Sequence, residues 1–328
     1  MPHSRRRRLI AYSAIGLFVL IDAVLVTSAL TSTSVDAAVD ASSTPAATAS
    51  VFPTPSATPS PALAATPTPT FAPAVSPVPA SRLLSAVSTT AAWRATTGAC
   101  PATAASPELS TDSGATWVTS NATAPTGVTA LQNIFAQSES VAEFVGLADE
   151  DCAPQFVKTF VGGENYSSYP DELDVAWYID PADRATVHGP DGLATAPCDA
   201  VVTVAPSVGD AGSAAVLCAD GRLFATTDAA TTWSPPVTVA GMVTLTATST
   251  GYLAVATTTS ATTPADCIGV DLVVLTADLA PTVTGCYPTE QTPAALAGNV
   301  AVAAADDTVW LWIGDATLRS TDAGRTWL

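Results

Sequence analysis

One octapeptide returns three times in this chain, and a repeat of that kind narrows the possible folds more than any composition does. Ser110-Thr111-Asp112-Ser113-Gly114-Ala115-Thr116-Trp117 recurs as Ser320-Thr321-Asp322-Ala323-Gly324-Arg325-Thr326-Trp327 and, with Ala in place of Gly, as Thr226-Thr227-Asp228-Ala229-Ala230-Thr231-Thr232-Trp233. An Asp in a tight turn accepts hydrogen bonds from nearby amides, a Gly two positions on tolerates positive φ, and the closing Trp is an apolar anchor for the strand that follows. Each copy reads as a hairpin clasp. Ser110, Asp112, Gly114 and Trp117, then Thr226, Asp228 and Trp233, then Ser320, Asp322, Gly324 and Trp327 are expected to be structural.

The pattern S-x-D-x-G-x-T-W resembles the Asp-box of sialidases and other bacterial neuraminidase-type repeat propellers, similar also to photosystem-assembly-type propellers that lack enzymatic activity. The resemblance implies a ring of small antiparallel sheets. Two weaker copies fall between the strong ones. Thr276-Ala277-Asp278-Leu279-Ala280-Pro281-Thr282-Val283 keeps Thr, Asp and Thr, and Thr159-Phe160-Val161-Gly162-Gly163-Glu164-Asn165-Tyr166 keeps Thr, a Gly and an aromatic. Clasps at 112, 161, 228, 278 and 322 predict an all-β propeller of five blades. The strand-like runs between them alternate β-branched and aromatic residues and leave almost no room for helices. No outer strand follows Trp327, so Leu83–Thr90 is expected either to supply one and close the ring or to be the innermost strand of the first blade.

The segment ahead of the repeats has other work. Arg5–Arg8 precede Leu9–Leu30, an apolar run long enough at 1.5 Å per residue to cross a hydrocarbon core of about 30 Å. Asp22 costs about 2.5 to 3.5 kcal/mol on insertion scales, which the surrounding Leu, Ile, Val and Phe outweigh at about 0.3 to 0.6 each. Residues 1–8 then form a cytoplasmic basic tail and 9–30 a single-pass anchor, with the C-terminal domain outside the cell. The alternatives are cleavage after a small-residue site such as Val35–Ala37 or Val39–Ala41, giving a secreted protein, and a twin-arginine type export signal. Residues 31–82 are Ala, Thr, Ser and Pro, a composition that forms no core and is expected to be a disordered, extended spacer. The propeller domain is assigned to 83–328.

Charge limits the partners. The formal net charge is −18, and residues 82–328 hold 7 basic and 26 acidic side chains. Nucleic acid is excluded as a partner because phosphate contacts need clustered Lys and Arg. All six cysteines lie in the exported part, where an even count reads as disulfides. The repeat register places them in connections on the face opposite the clasps and favours Cys198–Cys218, Cys267–Cys286 and, by elimination, Cys100–Cys152. There is no C-x-x-C and only one domain histidine, His188, so neither a metal nor another cofactor is expected.

The sialidase resemblance further implies three arginines that grip an acid sugar. Of the six arginines in the domain only Arg94 and Arg184 are placed to serve, and the Arg-Ile-Pro motif of that family is missing. The resemblance therefore covers the scaffold and stops before a catalytic site. The step from 161 to 228 is 67 residues, longer than its neighbours, with the excess around Ser167–Gly192. That stretch carries Tyr169, Glu172, Asp174, Trp177, Tyr178 and Arg184, and is expected to emerge as a loop on the cysteine-bearing face. Exposed aromatics beside carboxylates suit a sugar, peptide or cation. The competing reading places Trp177 and Tyr178 in the core. The function expected is a monomeric, non-catalytic module binding a cell-wall glycan or an exported protein, with a sialidase-type glycoside hydrolase as the alternative.

Overall fold

The computed structural model describes residues 79–257 and 267–328. The expected anchor and all but the last residues of the spacer lie outside the described residues. Among the described residues no helix is long and apolar enough to cross a membrane.

The described chain forms six sheets, not five. Blade one is β1 (Arg82–Ala86), β2 (Ala92–Thr96), β3 (Glu108–Ser110) and β4 (Val118–Thr119). A one-turn helix α1 (Thr123–Thr126) leads to blade two, made of β5 (Val128–Ala136), β6 (Ala142–Ala148), β7 (Pro154–Thr159) and β8 (Ser167–Ser168). After helix α2 (Pro170–Leu173), blade three has β9 (Tyr178–Ile179), β10 (Thr186–Gly189) and β11 (Gly192–Thr195). Blade four is β12 (Val201–Pro206), β13 (Ala214–Cys218), β14 (Arg222–Thr226) and β15 (Val237–Thr238). Blade five is β16 (Met242–Thr248), β17 (Gly251–Thr257), β18 (Gly269–Thr276) and β19 (Pro281–Pro288). Helix α3 (Pro293–Leu296) precedes blade six, with β20 (Val300–Ala305), β21 (Thr308–Ile313) and β22 (Ala316–Ser320). The strands β1, β5, β9, β12, β16 and β20 touch in that order and meet again, so the sheets close into a six-bladed β-propeller.

The long step at 161–228 is thus not a loop but a whole extra blade. Blade three escapes a search for clasps because it has none. Its β10 and β11 join through Pro190-Asp191, between paired glycines, with Gly192 at φ 96°. Its polarity also differs. The Trp177 indole reaches Ala211 O at the clasp end of blade four, 2.9 Å, while Arg184 in the β9–β10 turn bonds Val201 O at the opposite end. Hence β9 runs in the reverse sense to β5 and β12, and the blade carries counterparts of second to fourth strands.

Apolar clusters fill all six gaps between blades. Because each sheet is covered on both faces, central strands read as unbroken apolar runs; every residue of Ala214–Cys218 and of Thr308–Ile313 is buried. This accounts for a chain that is only 12% charged.

The three strong clasps share one geometry. Ser110 Oγ donates to Asp112 Oδ1 at 2.9 Å and accepts from Gly114 N–H, while Thr116 donates its N–H and hydroxyl to the two Asp112 oxygens. Thr226 with Asp228 and Thr232, and Ser320 with Asp322 and Thr326, repeat it. The fifth position needs positive φ: Gly114 84°, Gly324 83°, and Ala230 67° against the preference of an L residue. The closing Trp behaves differently from expectation. It reaches back onto the preceding blade rather than anchoring its own next strand. Trp117 meets Trp310 edge-on at 6.4 Å, Trp233 donates to Thr195 O, and Trp327 donates to Cys286 O and packs on Tyr287. In blade two, Tyr166 replaces the Trp and its hydroxyl bonds Ser120 Oγ beyond blade one, 2.6 Å.

These hydrogen bonds hold the clasp carboxylates below their ordinary range. The Thr116 hydroxyl lowers Asp112, the Thr232 hydroxyl lowers Asp228, and the Thr326 amide brings Asp322 down to about 2. A depressed native pKa stabilises the fold above the unfolded carboxylate value, about 3.9, and that contribution fades as pH falls through the native value. Acid unfolding followed by circular dichroism is therefore expected to begin below about pH 4. Asp322→Asn should flatten the curve between about pH 4 and 2, and an unchanged curve would show that the clasps do not carry the acid sensitivity.

Of the two readings of Leu83–Thr90, the structure takes the second. Arg82–Ala86 is the innermost strand of blade one, and among the described residues no strand is shared across the seam with blade six. Leu328 instead pairs back on Arg319 through both backbone bonds, 2.8 and 3.1 Å. Side chains and termini hold the seam. Ser81 N–H and Oγ reach Gly298 O, Arg82 donates to Gly314 O, and Trp310 Nε1 donates to Ser88 O at 3.0 Å.

The disulfides join Cys198 to Cys218 and Cys267 to Cys286, the pairs the repeat register favours, and Cys100 to Cys152, the pair left by elimination.

Candidate functional site

The residues singled out in the sequence part company in three dimensions. Trp177 and Tyr178 are buried strand-region residues of blade three. Tyr178 stacks on His188 with ring centres 4.6 Å apart and packs on Val145 and Phe156 of blade two. Burial, reinforced by Asp180 and Asp174, raises its phenol pKa, which keeps the hydroxyl protonated. These rings are core, and the expectation that they form an exposed binding loop is corrected. Asp174 is exposed beyond α2.

Both candidate arginines are engaged in the scaffold. Arg94 bonds Glu108 at 2.6 Å and Thr317 Oγ1 at 2.8 Å, with its guanidinium 4.0 Å above the Trp117 ring and 4.8 Å above Trp312. It is a tie across the blade six–blade one seam. Arg184 directs Nε and Nη2 to Val201 O and joins blade three to blade four; burial lowers its pKa. The two sit on different blades, and no acid-sugar clamp is assembled from them.

Tyr169 and Glu172 do come together, with residues that sequence reasoning missed. Register aligns Phe135 with Glu143 and Glu143 with Lys158 across β5, β6 and β7. Two residues along, the same face carries Asn133, Val145 and Phe156, which Trp177 and Tyr178 cover. The short blade three does not extend its cover to the clasp end. There Lys158 bridges Glu143 at 2.8 Å and Glu172 of α2, and its ammonium lies 5.7 Å from the Tyr169 ring centre. Tyr169 in turn meets Phe160 edge-on at 6.0 Å. Phe135 and Phe160 are 53% and 54% exposed, the two phenylalanines among the exposed large apolar residues described.

Burial alone would lower the Lys158 pKa, but the hydrogen bonds and charges of Glu143 and Glu172 outweigh it and hold the ammonium above its ordinary value. The group is a fixed cation locked between two anions, unsuited to proton transfer near neutral pH.

No family model matches the chain, and no curated protein matches it. Among solved structures, it is similar to YCF48 from Cyanidioschyzon merolae, at 15% identity over 77% of this chain and 86% of that one, TM-score 0.36. A structure of YCF48 bound to D1 peptide matches at 17% identity, 77% and 83% coverage and TM-score 0.29. The GH74 xyloglucanase from Xanthomonas campestris matches at 14% identity over 76% of this chain and 37% of that one, TM-score 0.28.

Among the described residues, Cys267, Asp271 and Cys286 lie within 4.8 Å of one another, but the two sulfurs are joined and offer no thiolate to a metal. One signal in the sequence did point to the patch. Phe160-Val161 stand where the strong clasps have Thr-Asp, so large apolar groups occupy a position that is solvated elsewhere in the ring.

Proposed function

We propose that this chain is a membrane-anchored, extracytoplasmic propeller with clasps of the Asp-box type, acting as a non-catalytic binding or assembly module for an exported protein or a cell-wall glycan. One observation carries the reading: the aromatic pair Phe135 and Phe160 left open at the clasp end of blade two, beside the Glu143–Lys158–Glu172 cluster. Exposed aromatics on rigid strands give contact area at little conformational cost. Arg5–Arg8 and Leu9–Leu30 supply the anchor, residues 31–82 the spacer, and three disulfides suit an oxidising compartment. A sialidase-like hydrolase would need arginines open to a substrate carboxylate, and Arg94 and Arg184 direct theirs into the scaffold.

The test uses the full chain immobilised against cell-envelope protein and glycan fractions. Phe135→Ser with Phe160→Ser is expected to reduce retention by about tenfold or more, the size of effect typical of interface hot spots. Melting should stay within a few degrees, because neither ring is enclosed. A collapse in melting temperature would place the rings in the core. Turnover of a sialyl glycoside by the purified chain would replace the binding reading with the hydrolase one.

A further inference from the structure

The clasps of blades one, four and six each lower an indole onto the blade behind, and Tyr166 does the same for blade two. Blade five does not. Its β18 and β19 join through the short turn 277–280, in which Leu279 is buried at φ 62° and no aromatic closes the hairpin. Where that ring would have come down on the outer strand of blade four there is a groove of about 510 Å³, lined by Thr232, Trp233, Pro235, Pro236, Ala277 and Asp278. Asp278 is exposed, and unlike Asp112, Asp228 and Asp322 its carboxylate makes no hydrogen bond among the described residues.

We propose that this groove is a second binding site, distinct from the blade-two patch, and that it takes a tryptophan-sized aromatic side chain of a partner polypeptide with a lysine or arginine next to it. The molecule itself argues for the ring, since three of its own indoles fill the corresponding space in other gaps. Pro235 and Pro236 give the groove a rigid, apolar wall, which favours an inserted aromatic over a flexible chain. Charge argues for the neighbour. Among the described residues Asp278 is the only charged one lining the groove, and the 7 basic and 26 acidic side chains of residues 82–328 make the surrounding field negative.

The probe is fluorescein-labelled Gly-Lys-Trp-Lys-Gly, titrated with the full chain and read by fluorescence anisotropy. Saturable binding is expected, weakened about tenfold when the peptide's Trp is replaced by Ala, the loss of a central anchor. Ala277→Trp, which plugs the groove from within, should abolish binding while leaving the melting temperature equal or higher. Asp278→Asn should weaken it severalfold and reduce its salt dependence. Phe135→Ser should change nothing, which separates this site from the blade-two patch. Equal binding of the Ala peptide, or binding undiminished by both Ala277→Trp and Asp278→Asn, would overturn the proposal. If Ala277→Trp fails to fold, the Asp278→Asn and Ala-peptide results decide alone.

Discussion

Trp310→Ala is expected to destabilise the propeller by about 3 to 5 kcal/mol, the range for truncating an enclosed Trp. The indole is fully buried on β21, meets Trp117 edge-on, lies under the Arg319 guanidinium at 5.4 Å and donates to Ser88 O. It therefore joins blade six to blade one, where no strand among the described residues is shared. Losing the indole also strands the Ser88 carbonyl, worth about 1 to 3 kcal/mol if it stays dry. Against a total of about 5 to 15 kcal/mol, that is a large share. Urea denaturation should show the midpoint falling at constant slope. Trp310→Phe separates the parts, keeping most of the packing while losing the bond. A loss under about 1 kcal/mol for the Ala variant would mean that the seam is held elsewhere.

Removing the Cys100–Cys152 bridge should cost nearly as much. It spans 52 residues and links the β2–β3 connection of blade one to the β6–β7 turn of blade two. In the chain-entropy model a loop of that size contributes about 4 kcal/mol, against about 3 for the Cys198–Cys218 and Cys267–Cys286 loops of 20 and 19 residues. Paired Cys→Ser variants, compared by urea midpoints, should rank in that order. Wild-type protein in dithiothreitol should fall below every single-bridge variant. If the reductant left the midpoint unmoved, the disulfides would be ornaments of a ring already stable without them, and one argument for an oxidising compartment would go with them.

Much of the scaffold could be read from residues alone because the clasp is local. Ser110, Asp112, Gly114 and Thr116 satisfy one another within seven residues, so their spacing reports their geometry. Two cysteine pairs were legible for a related reason, since Cys198–Cys218 and Cys267–Cys286 lie 20 and 19 residues apart, and Cys100–Cys152, which joins two blades, followed only by elimination. Blade three was not legible, since a hairpin closed by Pro190-Asp191 bears no clasp. The candidate site was half legible. Tyr169 and Glu172 stood out as an aromatic and an acid in a long connection. Phe135, Glu143, Lys158 and Phe160 belong to strands or their ends, where alternation predicts a face but not whether a neighbouring sheet covers it.

The sequence by itself determined the small antiparallel sheets, the clasps between their third and fourth strands, and the two short-range disulfides, because each depends on groups close along the chain. Only the tertiary structure decided that there are six blades, that the clasp tryptophans reach backward, and that aromatic rings are left open beside blade three and a groove beside blade five. Those depend on how far one sheet overlaps the next, and the area of a gap is set by both of its walls, which lie tens of residues apart in the chain.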